Sequence, residues 1–378
     1  MLDLSSVGPA SRCTRVLADY GADVVKVGPV PSREGALVEP PFFSYSALRG
    51  MRRVQVDLKS EGGRRAFVAL AIWADVLVES FRPGVMERLG LGYERLAAEN
   101  PGLVYCSTTG FGQEGPRSGW AGHDLDYLAI GGFLAATGPA ADGGPPVPGA
   151  TLADSAAGGL QAALAVSAAL VERARNGRGR HLDVAVADGV LWLMSLAIDE
   201  HLATGSSPGP GHDVLTGRYA CYDTYPAGDG RWLAVAAIEG KFFANLCGAL
   251  GCPQWSSHQY DDEVQDEIRK EFRAAFAAKS RDEWVETLGP ADTCVAPVQE
   301  VREVAADPGF EARHVVVEAR HPTHGALRQL GPVLAGAAPL EEPVDLPDPR
   351  VTDTVELLEA AGVDRALVDE WSREGVVA

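Results

Sequence analysis

The sequence predicts an α/β protein, and three observations predict it. Short β-branched runs alternate with helical patterns of about ten residues through the first half of the chain, as in βαβ units. One of these runs, Asp23-Val24-Val25-Lys26-Val27, is nearly continuous in apolar residues, as in a parallel-sheet strand covered on both faces. Beyond a Gly/Ser/Pro linker at 205–211 the pattern changes to aromatic and β-branched runs around Ala227-Gly228-Asp229-Gly230, a hairpin signal. A second, smaller α+β domain is expected there.

Taken in order, residues 2–4 end a first strand, 11–20 form a helix and 23–27 the next strand. A loop carrying Pro29, Pro31, Pro40 and Pro41 leads to a strand at 53–58 and a helix at 62–73. A strand at 75–79, a helix at 85–100 and a strand at 103–108 follow. Residues 158–175 are strongly helical and stop at Asn176-Gly177-Arg178-Gly179. A strand at 181–185 and an apolar helix at 189–202 complete this part. After the linker come strands at 219–225 and 231–236, then helices at 241–250, 262–278 and 281–288. A Pro-rich stretch from Pro332 to Pro349 precedes helices at 352–361 and 365–374. The domain reading is therefore 1–204 large domain, 205–218 linker, 219–310 small α+β domain, 311–350 second linker and 351–378 terminal helices.

A chain of 378 residues is long for one core, which agrees with two domains. A net charge of −19 argues against nucleic acid, because binding a polyanion needs a basic face. No apolar run reaches the roughly 18–20 residues of a bilayer span, and Met1-Leu2-Asp3-Leu4 lacks the order of a secretory signal. Neither membrane insertion nor export is expected, and the reading is cytoplasmic. The six cysteines (Cys13, Cys106, Cys221, Cys247, Cys252, Cys294) form no Cys-x-x-Cys pair and read as free thiols, without a metal site.

Two segments carry chemistry-bearing residues. Gly110-Phe111-Gly112-Gln113-Glu114-Gly115 satisfies G-x-G-x-x-G after a strand, but Pro116-Arg117-Ser118-Gly119 continues the loop where a dinucleotide fingerprint requires a helix. No nicotinamide site is expected. From Gly122-His123-Asp124-Leu125-Asp126-Tyr127 to Leu152-Ala153-Asp154-Ser155, a histidine and a carboxylate stand about thirty residues apart, each at a helix start. Both could simply cap helices. Chemistry between them requires the fold to join two helix N-termini, whose free N–H groups suit an oxyanion.

With these residues the chain resembles the family III CoA-transferase fold (CaiB/BaiF type) and, within it, the α-methylacyl-CoA racemases. The matching pieces include Leu17-Ala18-Asp19-Tyr20-Gly21-Ala22-Asp23-Val24-Val25-Lys26-Val27, Val56-Asp57-Leu58-Lys59, Phe81-Arg82-Pro83-Gly84-Val85 and Leu89-Gly90-Leu91-Gly92. Thr109-Gly110-Phe111-Gly112-Gln113, Ala121-Gly122-His123-Asp124-Leu125-Asp126-Tyr127, Asp229-Gly230, Ala237-Ile238-Glu239 and Cys294-Val295-Ala296-Pro297-Val298 continue it. The resemblance implies a Rossmann-like large domain that takes in the C-terminal helices, a small domain on two long linkers, and an interlocked homodimer. It also implies an acyl-CoA substrate, with no cofactor beyond the CoA moiety of that substrate.

Residue by residue, the resemblance makes Asp154 the aspartate that transferases use as nucleophile and racemases as proton carrier. His123 in Gly-His-Asp is the mark of the racemases. Inverting an α-carbon beside a thioester needs two acid/base groups tuned near neutrality. Imidazole ordinarily titrates there; Asp154 would need burial to raise its carboxyl. The Asp124 N–H is the candidate oxyanion donor, and Glu239 the residue that orients the histidine. Lys59, Arg82 and Arg88 match CoA-contacting positions, and Tyr127 is expected against the pantetheine arm. The chain also departs from the racemases. Gly28-Pro29 stands where relatives carry an Arg, with Arg33 a candidate substitute from the loop. Val214-Leu215-Thr216-Gly217-Arg218 replaces a Leu-Asp-Gly-Gly, and only 4 Met are available for an acyl surface.

Overall fold

The computed structural model describes residues 1–31, 48–139, 143–340, 343–348 and 351–378. Arg33, Pro40 and Pro41 lie outside the described residues. The chain divides into two compact units, one of residues 1–133, 147–194 and 308–378, the other of residues 134–146 and 195–307.

The first unit is built on a six-stranded, wholly parallel sheet of β1 (Leu2–Asp3), β2 (Val24–Gly28), β3 (Met51–Gln55), β4 (Val76–Glu79), β5 (Val104–Thr109) and β6 (His181–Ala185). Its order, β3-β2-β1-β4-β5-β6, is that of a doubly wound sheet. Every residue of β4 and β5 is buried, as the apolar runs required. Helix α1 (Gly8–Asp19) follows β1, α2 (Glu61–Trp73) follows β3, and α3 (Val85–Arg88) and α4 (Tyr93–Glu99) follow β4. The helix expected at 85–100 is thus two, because Gly90 takes φ +71° and Gly92 caps α4.

Further along are α5 (Asp124–Ile130), α6 (Ala153–Asn176) and α7 (Val186–Leu193). The first turns of α6, Ala153–Leu160, have π geometry. By length and composition α6 corrects the expectation that no segment could span a bilayer: it is 24 residues long and contains an 18-residue window with a mean hydropathy of 1.3. Its Ala162, Ala163, Val166 and Ala169 are nevertheless buried in a core cluster with Val76, Val78, Val104 and Val184 of the sheet.

Residues 311–350, read above as linker, contain an antiparallel pair, β10 (Val316–His321) and β11 (Gly325–Leu330), extended by β12 (Val344–Asp345). The terminal helices, Thr354–Ala360 and Arg365–Arg373, add Leu357, Leu358, Val368 and Trp371 to the core over β1–β4.

The second unit is α+β. The hairpin is present as β7 (Tyr222–Pro226) and β8 (Trp232–Ala236), with β9 (Val295–Pro297) adding a third antiparallel strand. Helices at Gly240–Ala249, Gln265–Phe276 and Arg281–Leu288 pack on it through Phe243, Phe272, Phe276 and Trp284.

Candidate active site

In a doubly wound sheet, ligands bind beyond the carboxyl ends of the strands where the winding reverses. Here that point lies between β1 and β4. His123, Asp124 and Asp154 gather at this edge. Asp154 starts α6, and its backbone N–H donates to Asp124 Oδ1 at 2.9 Å. Asp124 is the first residue of α5 and His123 its N-cap, so this one bond joins the two helix starts. The first N–H of a helix has no intrahelical acceptor, which leaves the Asp124 N–H available to a substrate oxygen.

The Asp154 carboxyl is half-buried and held above the usual carboxylate range. Burial is the main cause, the neighbouring Asp124 charge adds to it, and Arg12 and His123 oppose it. A carboxyl raised in this way can carry a proton more readily than an exposed one. His123 is exposed, and its own N–H donates to Asp126 Oδ2 at 2.9 Å, half of a capping box.

Close packing behind the pair fixes it. The Tyr127 ring fills the space over two glycines: a Cβ at Gly110 would lie 2.4 Å from Tyr127 Cε1, and one at Gly122 would lie 2.8 Å from it. The Tyr127 hydroxyl donates to Gly122 O at 2.6 Å, and the Phe111 ring meets Tyr127 edge-on at 5.3 Å. Tyr127 therefore braces the His123 turn from behind. On the other side, a Cβ at Gly158 would strike Pro9 Cβ at 2.5 Å, so the Pro9 ring of α1 packs directly on the α6 backbone. Asp154 Oδ2 comes within 4.0 Å of where a Gly8 side chain would begin. The loop after β5, glycine-rich in sequence, is pinned rather than loose, with Gln113 N–H donating to Asp183 Oδ2 at 3.0 Å.

The expected cations lie at the same edge. Lys59 sits between β3 and α2, Arg82 between β4 and α3, and Arg88 on α3. All three are exposed, and none is paired with a carboxylate among the described residues. Glu239 belongs to the second unit, as N-cap of the helix Gly240–Ala249.

Two buried polar groups escaped the sequence reading. Asp3, fully buried, takes Lys26 Nζ at 2.8 Å and Ser5 Oγ at 2.6 Å, fixing the turn between β1 and α1. Glu79, 4% exposed, accepts from Phe81 N–H at 2.7 Å. Asp3 is a single polar residue within an apolar strand run, the one signal that could have found it; Glu79 stands at a strand end and carries no such signal.

Comparison with known proteins gives a consistent result. Residues 1–351 match the profile of CoA-transferase family III. The alpha-methylacyl-CoA racemase of Homo sapiens is 38% identical over 307 residues, covering 80% of this chain and 78% of that one. The acetyl-CoA:oxalate CoA-transferase of Acetobacter aceti is 31% identical over 333 residues, covering 84% of either chain. A solved CAIB/BAIF family protein from Brucella suis matches with a TM-score of 0.77 at 28% identity, over 95% of this chain and 97% of that one.

Proposed function

Since this chain belongs to CoA-transferase family III, we propose that it is an acyl-CoA racemase or epimerase that inverts the α-carbon of a 2-methyl-branched acyl thioester. His123 and Asp154 are the two acid/base groups. One removes the α-proton, an enolate forms, and the other returns a proton to the opposite face. The Asp124 N–H receives the enolate oxygen, while the Asp124 carboxylate holds the start of α6 and keeps Asp154 raised. The observation that carries this reading is the bond from Asp154 N–H to Asp124 Oδ1, which sets a raised carboxyl beside a Gly-His-Asp turn.

Lys59, Arg82 and Arg88 meet the CoA phosphates, where local cations must offset the net charge of −19. Tyr127 supports the His123 turn, and Glu239, by its resemblance to the family's Ala-Ile-Glu position, is the carboxylate that orients the histidine. The same reading includes an interlocked homodimer, checked by light scattering, and a cytoplasmic protein.

The test is NMR of a 2-methylacyl-CoA with the pure protein in D2O, without a carboxylate acceptor. Loss of the α-proton signal that Asp154→Asn and His123→Ala prevent supports the racemase. The transferase relatives favour one second reading. In it Asp154 attacks the acyl carbonyl and forms a mixed anhydride with loss of CoA thiolate, which then returns to give an aspartyl–CoA thioester and free carboxylate. No α-exchange, with CoA moving to an added carboxylic acid and a trapped Asp154–CoA thioester, would select that reading.

A further inference from the structure

The loop that carries Arg82 and Arg88 is tied to a carboxyl that the proposed reaction does not use. Glu79 is the last residue of β4 and is paired in register with Ser107 of β5. Its Oε2 accepts from Phe81 N–H at 2.7 Å. Ser107 Oγ lies 2.9 Å from His181 Nε2, and the His181 ring stacks on Tyr93 at 5.3 Å. The Ser107–His181 pair lies on the strands next to Glu79.

The bond to Phe81 is the one that leaves the sheet for the loop. Phe81 itself packs against the core of the first unit. From there Val85 N–H donates to Arg82 O at 3.1 Å and Arg88 N–H to Gly84 O at 3.2 Å. A Cβ at Gly84 would lie 3.0 Å from Arg88 Nη1, so the Arg88 guanidinium folds over the same turn that displays Arg82. Both cations therefore stand on one turn whose leading end is fixed by Glu79. A buried carboxyl is costly to keep, and an apolar residue would complete β4 equally well; what it would lose is the acceptor for Phe81 N–H.

We propose that Glu79 is a positioning residue for recognition of the CoA phosphates: it clamps Phe81 N–H and so sets the turn that presents Arg82 and Arg88. This rests on the reading above, in which those two arginines meet CoA. Glu79 touches no substrate and acts through the loop alone.

The experiment compares wild type, Glu79→Ala, Glu79→Gln and Arg82→Ala by calorimetric titration with free CoA and by hydrogen exchange of a peptide spanning 80–88 in the unliganded protein. Glu79→Ala is expected to weaken CoA binding about tenfold, the scale of one buried hydrogen bond, and to speed exchange in 80–88 by about the same factor. Glu79→Gln keeps an acceptor for Phe81 N–H and is expected to restore both to within about twofold, which separates positioning from mere bulk. Unchanged exchange in Glu79→Ala with CoA binding intact would overturn the positioning role alone. Arg82→Ala binding CoA as well as wild type would overturn the link between this turn and the phosphates. A wild-type protein without CoA affinity would overturn the functional reading, and the ligand assigned here with it.

Discussion

The same carboxyl ties stability to pH. Burial pushes the Glu79 carboxyl from 4.5 to about 7, against the hydrogen bonds from Ser107 and Phe81, with Glu87 and Asp183 adding a smaller push upward. The sign follows from which state ionises first. Below about pH 4.5 the carboxyl is protonated in both folded and unfolded chains and costs nothing. Between about 4.5 and 7 the unfolded chain gives up its proton while the folded one retains it, so stability falls as pH rises, and above 7 the loss is complete. At about 1.4 kcal/mol per pH unit, the span from 4.5 to about 7 corresponds to about 3 kcal/mol. Glu79→Gln removes the ionisation and nearly preserves the shape. Thermal unfolding of both proteins should show Glu79→Gln gaining on wild type by about 3 kcal/mol between about pH 4.5 and pH 8. For a unit of this size that is a relative rise in Tm on the order of 6–12 °C. A gap between the two proteins that is equal at both pH values would refute the claim that a buried, raised Glu79 carries this linkage.

Other consequences follow from the site. Asp124→Asn keeps an acceptor for Asp154 N–H but removes a charge that raises Asp154, so the acid limb of the pH profile of kcat/KM should move to lower pH; a limb that stays or moves up contradicts the arrangement. His123→Ala and Asp154→Asn should each abolish epimerisation, read from the diastereomer ratio of product over time, and either variant retaining it contradicts the two-base assignment. Gly110→Ala would drive a methyl group into the Tyr127 ring at 2.4 Å. It should cost about 1–3 kcal/mol of stability, the usual range for overpacking, and disturb the His123 turn, seen as a lower Tm together with a reduced kcat.

What the sequence disclosed and what it withheld divide along physical lines. The parallel sheet was readable because each strand carries its own apolar run, a local property that needs no knowledge of its neighbours. The segment 85–100 was misread as one helix because its apolar periodicity runs across Leu89-Gly90-Leu91-Gly92, where a positive φ at Gly90 overrides it. The β10–β11 hairpin went unread although its inward alternation, Val317, Ala319 and His321, is regular. Its turn, Pro322-Thr323-His324 closed by Gly325 at φ +74°, belongs to the three-residue class with a left-handed glycine, a weaker signal than Asn-Gly.

The site shows the same division more sharply. Gly122-His123-Asp124 and Asp154 could be picked out by residue type, and the need for two helix starts to meet could be stated. That Asp124 makes the junction with its carboxylate could not, because the bond joins residues thirty positions apart through an intervening loop. Glu79 was hidden for a related reason. A carboxylate at the end of Asp75-Val76-Leu77-Val78-Glu79 reads as a solvated strand end until β5 places Ser107 beside it. Residues that touch a substrate declare their chemistry through their type; residues that hold those in place declare it only through their neighbours, and a linear sequence does not record neighbours.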